Sequence, residues 1–131
     1  MSELVLVLPF PPSVNRYYRN VVIGGRPRTL VSKDGRAFRA TVEDICAIRR
    51  VSMLRGRVRV EVDVHAPDRR KRDLDNVLKS LLDALVHGGV LGDDEQIDHL
   101  VVRRGERDSV GFVRVAVSLL SGTQEETKEC T

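Results

Sequence analysis

Arg57-Val58-Arg59-Val60-Glu61-Val62-Asp63-Val64-His65 alternates without a break: four valines fall on one side of an extended chain and five polar residues on the other. The period of two predicts a half-buried β-strand and fixes which face meets the core. After it, the basic loop Ala66–Asp73 leads to Leu78, Leu81, Leu82, Leu85 and Val86, whose spacing predicts a helix over Asn76–His87 ended by Gly88-Gly89. Before it, Phe38, Thr41/Val42, Ile45 and Ile48 predict a helix from about Asp34 to Arg50, with Ser32 as its N-cap. A first strand starts at Glu3 and stops at Pro9, Pro11 and Pro12, which remove ladder donors. The polar connection Ser13–Ser32 carries a Gly24-Gly25 step able to close a small hairpin.

Two more strands, Ile97–Arg104 and Gly111–Leu120, are expected to pair as an antiparallel hairpin across the polar turn Gly105–Ser109. The order β-α-β-α-β-β predicts an α+β fold, a single small domain over residues 1–120 with a mixed sheet and two main helices. Residues 121–131 read as a flexible polar tail.

The chain has 131 residues, 41% hydrophobic and 31% charged, which suits one globular core and excludes collagen-like and wholly disordered chains. Its longest nearly apolar stretch, Leu4–Pro12, falls short of the ~20 residues of a membrane span and has no basic flank. A cytoplasmic protein without membrane contact is expected. Cys46 lies in a helical pattern and Cys130 in the tail, so both are expected as free thiols. Lys and Arg number 22 against 19 Asp and Glu, and the last eleven residues hold three Glu and one Lys, so the body carries +5. That balance favours a polyanionic partner.

Asp73 and Asp75 flank Leu74, which places both carboxylates on one side of the backbone with Leu74 turned inward. With one of Asp93 and Asp94 they form an all-oxygen donor set of the kind that holds Mg²⁺ beside a phosphate. Arg69, Arg70, Lys71 and Arg72 are four consecutive cations next to the pair, suited to drawing a phosphate backbone against it. Lys79, one helical turn after Asp75, is placed to neutralise charge that develops on the phosphate. The plainer alternatives are a helix cap for Asp75, i,i+4 pairing of Lys79 with Asp75 and Asp83, and a satisfied surface imidazole at His65. Tyr17 or Tyr18 could stack on a base or sugar, or pack against the first helix.

Leu8-Pro9-Phe10-Pro11-Pro12-Ser13, Asn15-Arg16-Tyr17-Tyr18-Arg19, Pro67-Asp68 with the basic run, Arg72-Asp73-Leu74-Asp75-Asn76, Lys79, Asp83-Ala84-Leu85 and Asp93-Asp94 occur in that order. Together they resemble the RusA family of Holliday junction resolvases over nearly the whole chain up to about Leu120. The resemblance implies a homodimeric, Mg²⁺-dependent endodeoxyribonuclease, often prophage-borne, in which Mn²⁺ can substitute and no small-molecule cofactor is needed. It would make paired symmetric nicks in four-way or branched DNA during recombination and repair. It assigns the essential carboxylates and metal ligands to Asp73, Asp75 and Asp94, with Lys79 as the catalytic lysine. DNA contacts are expected from Arg69, Arg70, Lys71 and Arg72 and from Asn15, Arg16, Tyr17 and Arg19. The competing expectation is a branched-DNA-binding protein without catalysis, which metal-dependent cleavage of a labelled junction would separate.

Overall fold

The computed structural model describes residues 3–120; the expected tail over 121–131, with Cys130, lies outside the described residues. β4 (Val58–His65) runs where the alternation places it, with Val58, Val60, Val62 and Val64 buried. It lies inside a four-stranded sheet of order β1-β6-β4-β5, made with β1 (Glu3–Pro9), β5 (Ile97–Arg104) and β6 (Phe112–Leu119). β6 is antiparallel to both β1 and β4, whereas β5 runs parallel to β4. A parallel pair needs a crossover, and α3 (Asp75–His87) lies within it.

The expected hairpin between the last two strands is therefore not formed. β6 carries Val113, Val115, Ala116 and Val117 buried, a nearly continuous apolar run that belongs inside a sheet, while β5 is largely exposed and takes the edge. The connection between them crosses the end of β4 instead of turning back on itself. Gly105 N donates to Val64 O at 2.8 Å and Asp108 N to Ala66 O at 3.0 Å.

α2 (Lys33–Ile48) and α3 supply the other layer, with Phe38, Val42, Leu81 and Leu85 joining the strand valines in one core cluster. Ser32 caps α2 as expected, its hydroxyl accepting from Gly35 N at 3.0 Å. Ile48, expected on the buried face, is exposed, and Cys46 is buried instead. α3 has already ended at Gly88, against which Val42 and Cys46 pack, and Ile48 lies beyond that contact. Burial pushes the Cys46 thiol pKa up. None of the described helices is long and apolar enough to cross a membrane.

The long connection is more ordered than a loop. α1 (Val14–Tyr17) is one turn, and β2 (Tyr18–Ile23) pairs with β3 (Arg26–Val31) in a separate hairpin. Gly24 and Gly25, at φ 60° and 77°, make the two-residue turn that needs two left-handed residues. The hairpin returns the chain so that Ser32 N donates to Tyr17 O at 2.8 Å, seating the start of α2 on Tyr17. Gly35 permits this approach: a Cβ there would lie 2.5 Å from Tyr17 O and 2.7 Å from Val31 Cγ1. Alanine favours helix over glycine, yet Gly35→Ala is expected to destabilise the fold by about 1–3 kcal/mol through overpacking. Urea unfolding of the variant checks the sign.

Candidate active site

The basic loop is organised by Asp68. Arg72 donates to it through Nη1 at 2.7 Å and Nη2 at 3.2 Å, and Arg70 N donates at 3.0 Å. The Arg72 guanidinium also lies 5.2 Å over the Phe10 ring, and its side chain is only 15% exposed. Arg72 thus braces the loop against the first strand's end, while Arg69, Arg70 and Lys71 are exposed. The Arg72 hydrogen bonds first, and the Arg70 backbone bond second, hold the Asp68 carboxyl down at about 2.

Beyond this brace the chain enters α3. Asp73 and Asp75 are exposed and Leu74 between them packs on the core, as the spacing predicted. Asp75 opens the helix rather than capping it, the N-cap position being Leu74. Among the described residues neither carboxylate accepts a side-chain hydrogen bond or forms an ion pair. Lys79 makes neither of the i,i+4 pairs that its spacing allows; its ammonium lies 5.7 Å over the Tyr18 ring.

Lys79 shares a pocket of about 360 Å³ with Tyr18, Asp83, Val86, Gly92, Asp93 and Asp94. The two neighbouring aspartates have different parts in it. Asp93 caps the 3-10 turn Asp94–Gln96, accepting from Glu95 N at 3.0 Å, while Gln96 Oε1 accepts from Asp93 N at 3.0 Å and Gly92 N at 2.8 Å. Gln96 Nε2 donates to Leu54 O and Gly56 O, and Arg57 donates to Asp98 and to Glu95, so the turn is fixed from both sides. Asp94 is left exposed and uncommitted on a rigid support. Just before it, Val90 and Leu91 are fully buried.

Asp83 is not a free ligand. It accepts from Arg39 Nε at 2.9 Å, from Arg39 Nη2 at 2.8 Å and from the Tyr17 hydroxyl. Tyr17, expected at the DNA surface, is fully buried, so it offers no face to a base. Its hydroxyl pKa is raised, by burial first and by Asp83 second. Asn15, Arg16 and Arg19 are exposed, and Arg16 pairs with Asp34 at 2.7 Å. His65 is satisfied, as the plainer alternative held, with Nδ1 2.8 Å from Glu106 O and its ring stacked on Phe112.

The three assigned carboxylates are not gathered in one chain. Asp94 is in the pocket with Lys79, Asp73 lines a different one, and Asp75 lines neither. Among the described residues, no three Asp, Glu, His or Cys side chains come close enough to hold a metal ion. The sequence reading gave no part in the site to Arg39, Arg57 or Gln96, and it named Asp83 as a partner of Lys79 and within the family pattern, not as the acceptor from Tyr17 and Arg39. Only Gln96 had a local signal, Asp93-x-x-Gln96, which is a capping box.

Comparison with known proteins finds relatives over most of the chain. The Endodeoxyribonuclease RusA family profile matches residues 9–118. The crossover junction endodeoxyribonuclease rusA of Enterobacteria phage HK97 is 37% identical over 121 residues, covering 92% of this chain and 98% of that protein. RusA of Escherichia coli strain K12 is 42% identical over 105 residues, and that of Enterobacteria phage 82 is 41% identical over 108, each covering 79% of this chain and 84% of the relative. The chain belongs to the endodeoxyribonuclease RusA family.

The Asp68 brace predicts a pH window. Its folded-state pKa is depressed from 3.8 to about 2, so its contribution to stability is present above about pH 4 and lost as pH falls toward 2. Thermal melting of wild type and Asp68→Asn should differ at pH 5–7 and converge as pH drops through that window.

Proposed function

We propose that this protein is a divalent-metal-dependent endonuclease that resolves four-way DNA junctions as a homodimer in the cytoplasm. Its family relatives are named crossover junction endodeoxyribonucleases. The observation that carries the reading to particular residues is the contrast within one turn: Asp93 is consumed as a cap, and Asp94 is free beside an unpaired Lys79. Asp73 and Asp75 have no side-chain hydrogen bond or ion pair among the described residues either, and they lie just after the exposed cations Arg69, Arg70 and Lys71.

A donor set made only of carboxylate oxygens suits a hard divalent ion, Mg²⁺ with Mn²⁺ as a substitute. One chain does not assemble that set. The Asp73–Asp75 pair of one protomer together with Asp94 of its partner is the reading that supplies it, and it places two sites in fixed relation about a twofold axis. A four-way junction needs nicks in two strands of like polarity, and that geometry matches the requirement. A divalent ion bound there supplies positive charge beside the phosphate.

The chain's own groups have separable parts. Arg69, Arg70 and Lys71 attract the backbone through charge, a salt-dependent contribution to affinity. Lys79, steadied by the Tyr18 face, presents an ammonium to charge that develops in the transition state. Asp83, through Tyr17 and Arg39, keeps the Lys79 face of α3 in register with α1 and α2.

Cleavage of a labelled junction should require Mg²⁺ or Mn²⁺, be poorly supported by Ca²⁺ and stop in excess chelator, and linear duplex should be bound but cut poorly. Asp73→Asn, Asp75→Asn and Asp94→Asn should each reduce cutting at least 100-fold, the order seen when a transition-state stabiliser is removed, while keeping junction binding in a gel shift. Folded variants that cannot bind DNA would make these carboxylates structural. Lys79→Ala should lose rate more than affinity. Neutralising Arg69, Arg70 and Lys71 should flatten the salt dependence of binding, by about 0.9 in slope for each phosphate that the protein no longer neutralises.

A further inference from the structure

We propose that the pocket beside Asp73 receives one unpaired nucleotide of the DNA, its base enclosed and its phosphate held by arginines; this rests on the DNA-cleaving reading above. The pocket has a volume of about 350 Å³. Val64, Ala66, Leu74 and Val77 give it an apolar lining, with Phe10 also in its wall. Hydrolysis of a phosphodiester calls for charge and water, so an apolar cavity bordering a catalytic carboxylate has another occupant. Arg69, Arg70, Arg104 and Arg107 also line it. Among the described residues Arg69, Arg104 and Arg107 form no ion pair, and Arg70 has only a 3.7 Å contact with Asp68.

Arg104 Nη2 donates to Arg72 O at 2.8 Å, which leaves Arg69 and Arg107 without a side-chain partner among the described residues. An apolar slot bordered by such cations fits a flat apolar ring carrying an anion, which is what a nucleotide is. A duplex cannot enter so small a space, so the base must leave its stack. Unstacking costs least where pairing is already disrupted, as at a branch point. The pocket therefore couples structure to chemistry: a base available to enter it brings its own phosphate to the Asp73 side.

The wall is built before any ligand arrives. A Cβ at Gly105 would fall 2.2 Å from the His65 ring, so Gly105 lies directly against that imidazole. His65 is fixed by Glu106 O and by stacking on Phe112 with centroids 4.3 Å apart. Backbone bonds from Gly105 N to Val64 O and from Asp108 N to Ala66 O close the corner. On the other side Arg72, locked to Asp68, covers the Phe10 ring. Sites of this kind are largely preformed, with an apolar body and a few placed polar groups.

The test places single 2-aminopurine substitutions at each nucleotide flanking the mapped cut in a four-way junction, bound by the full chain in chelator. One position should rise at least threefold in fluorescence on binding, with no rise at the same nucleotide in linear duplex. Ala66→Leu, which fills the pocket, should abolish the rise and weaken junction binding about tenfold. An abasic nucleotide at that position should make wild type and Ala66→Leu bind equally, separating a filled pocket from a damaged fold. No responsive position, or a deficit of Ala66→Leu that persists on the abasic junction, overturns the pocket. Cleavage with Mg²⁺ is scored separately: cutting without any fluorescent response sinks the pocket alone, and a response without cutting sinks the nuclease reading alone.

Discussion

Asp83 sits half-buried on α3 and takes three hydrogen bonds from two other helices, one from Tyr17 at the end of α1 and two from Arg39 on α2. Charge-assisted bonds of this kind are directional, and a carboxylate left without them in a partly desolvated position is costly. The cluster therefore sets how α3 lies against α1 and α2. Everything the proposed chemistry uses hangs from α3: Asp73 and Asp75 at its start, Lys79 one turn in, and the turn of Asp94 folded back along its side. Tyr17 and Tyr18 divide the work, the first buried in the clamp and the second, edge-on to it at 4.7 Å, facing Lys79.

The same economy appears in the charged residues. Many of the arginines brace the fold: Arg72 on Asp68 and Phe10, Arg57 on Glu95 and Asp98, Arg39 on Asp83, Arg103 on Glu61 and Asp63. A basic composition therefore overstates how much cation faces DNA. Arg69, Lys71 and Lys79, without an ion pair among the described residues, lie on the loop and the helix that carry Asp73 and Asp75, and Arg107 lines the pocket beside Asp73.

Local pattern carried most of the fold. Alternation placed β4, the 3-4 spacing placed α2 and α3, and Gly24-Gly25 placed the hairpin, because each signal arises from burial of one face or from a single backbone requirement. Strand order did not follow, since β5 and β6 are adjacent in sequence but separated by β4; which strand goes inside depends on the summed burial of both its faces. The Asp73-x-Asp75 pair, the basic run and Lys79 were visible because side-chain type and spacing alone define them. The Asp83 clamp was hidden because it joins residues distant in sequence, and the packing of Arg72 on Phe10 for the same reason, whereas the Asp93 cap had a local signal in Asp93-x-x-Gln96. Of the two parts open to Tyr17, stacking on a base and packing inside the protein, the structure shows the second, and nothing local shows that α3 covers it.

In the proposed dimer, Asp94 of one protomer completes the site begun by Asp73 and Asp75 of the other. This arrangement is tested by mixing subunits of Asp75→Asn and Asp94→Asn, each inactive alone, and assaying a labelled four-way junction with Mg²⁺. In a shared site one heterodimer site carries both substitutions and the other carries none, so nicking of the junction should return. If each chain completes its own site, every site in the mixture carries one substitution, and confirmed heterodimers that remain as inactive as either parent would contradict the account.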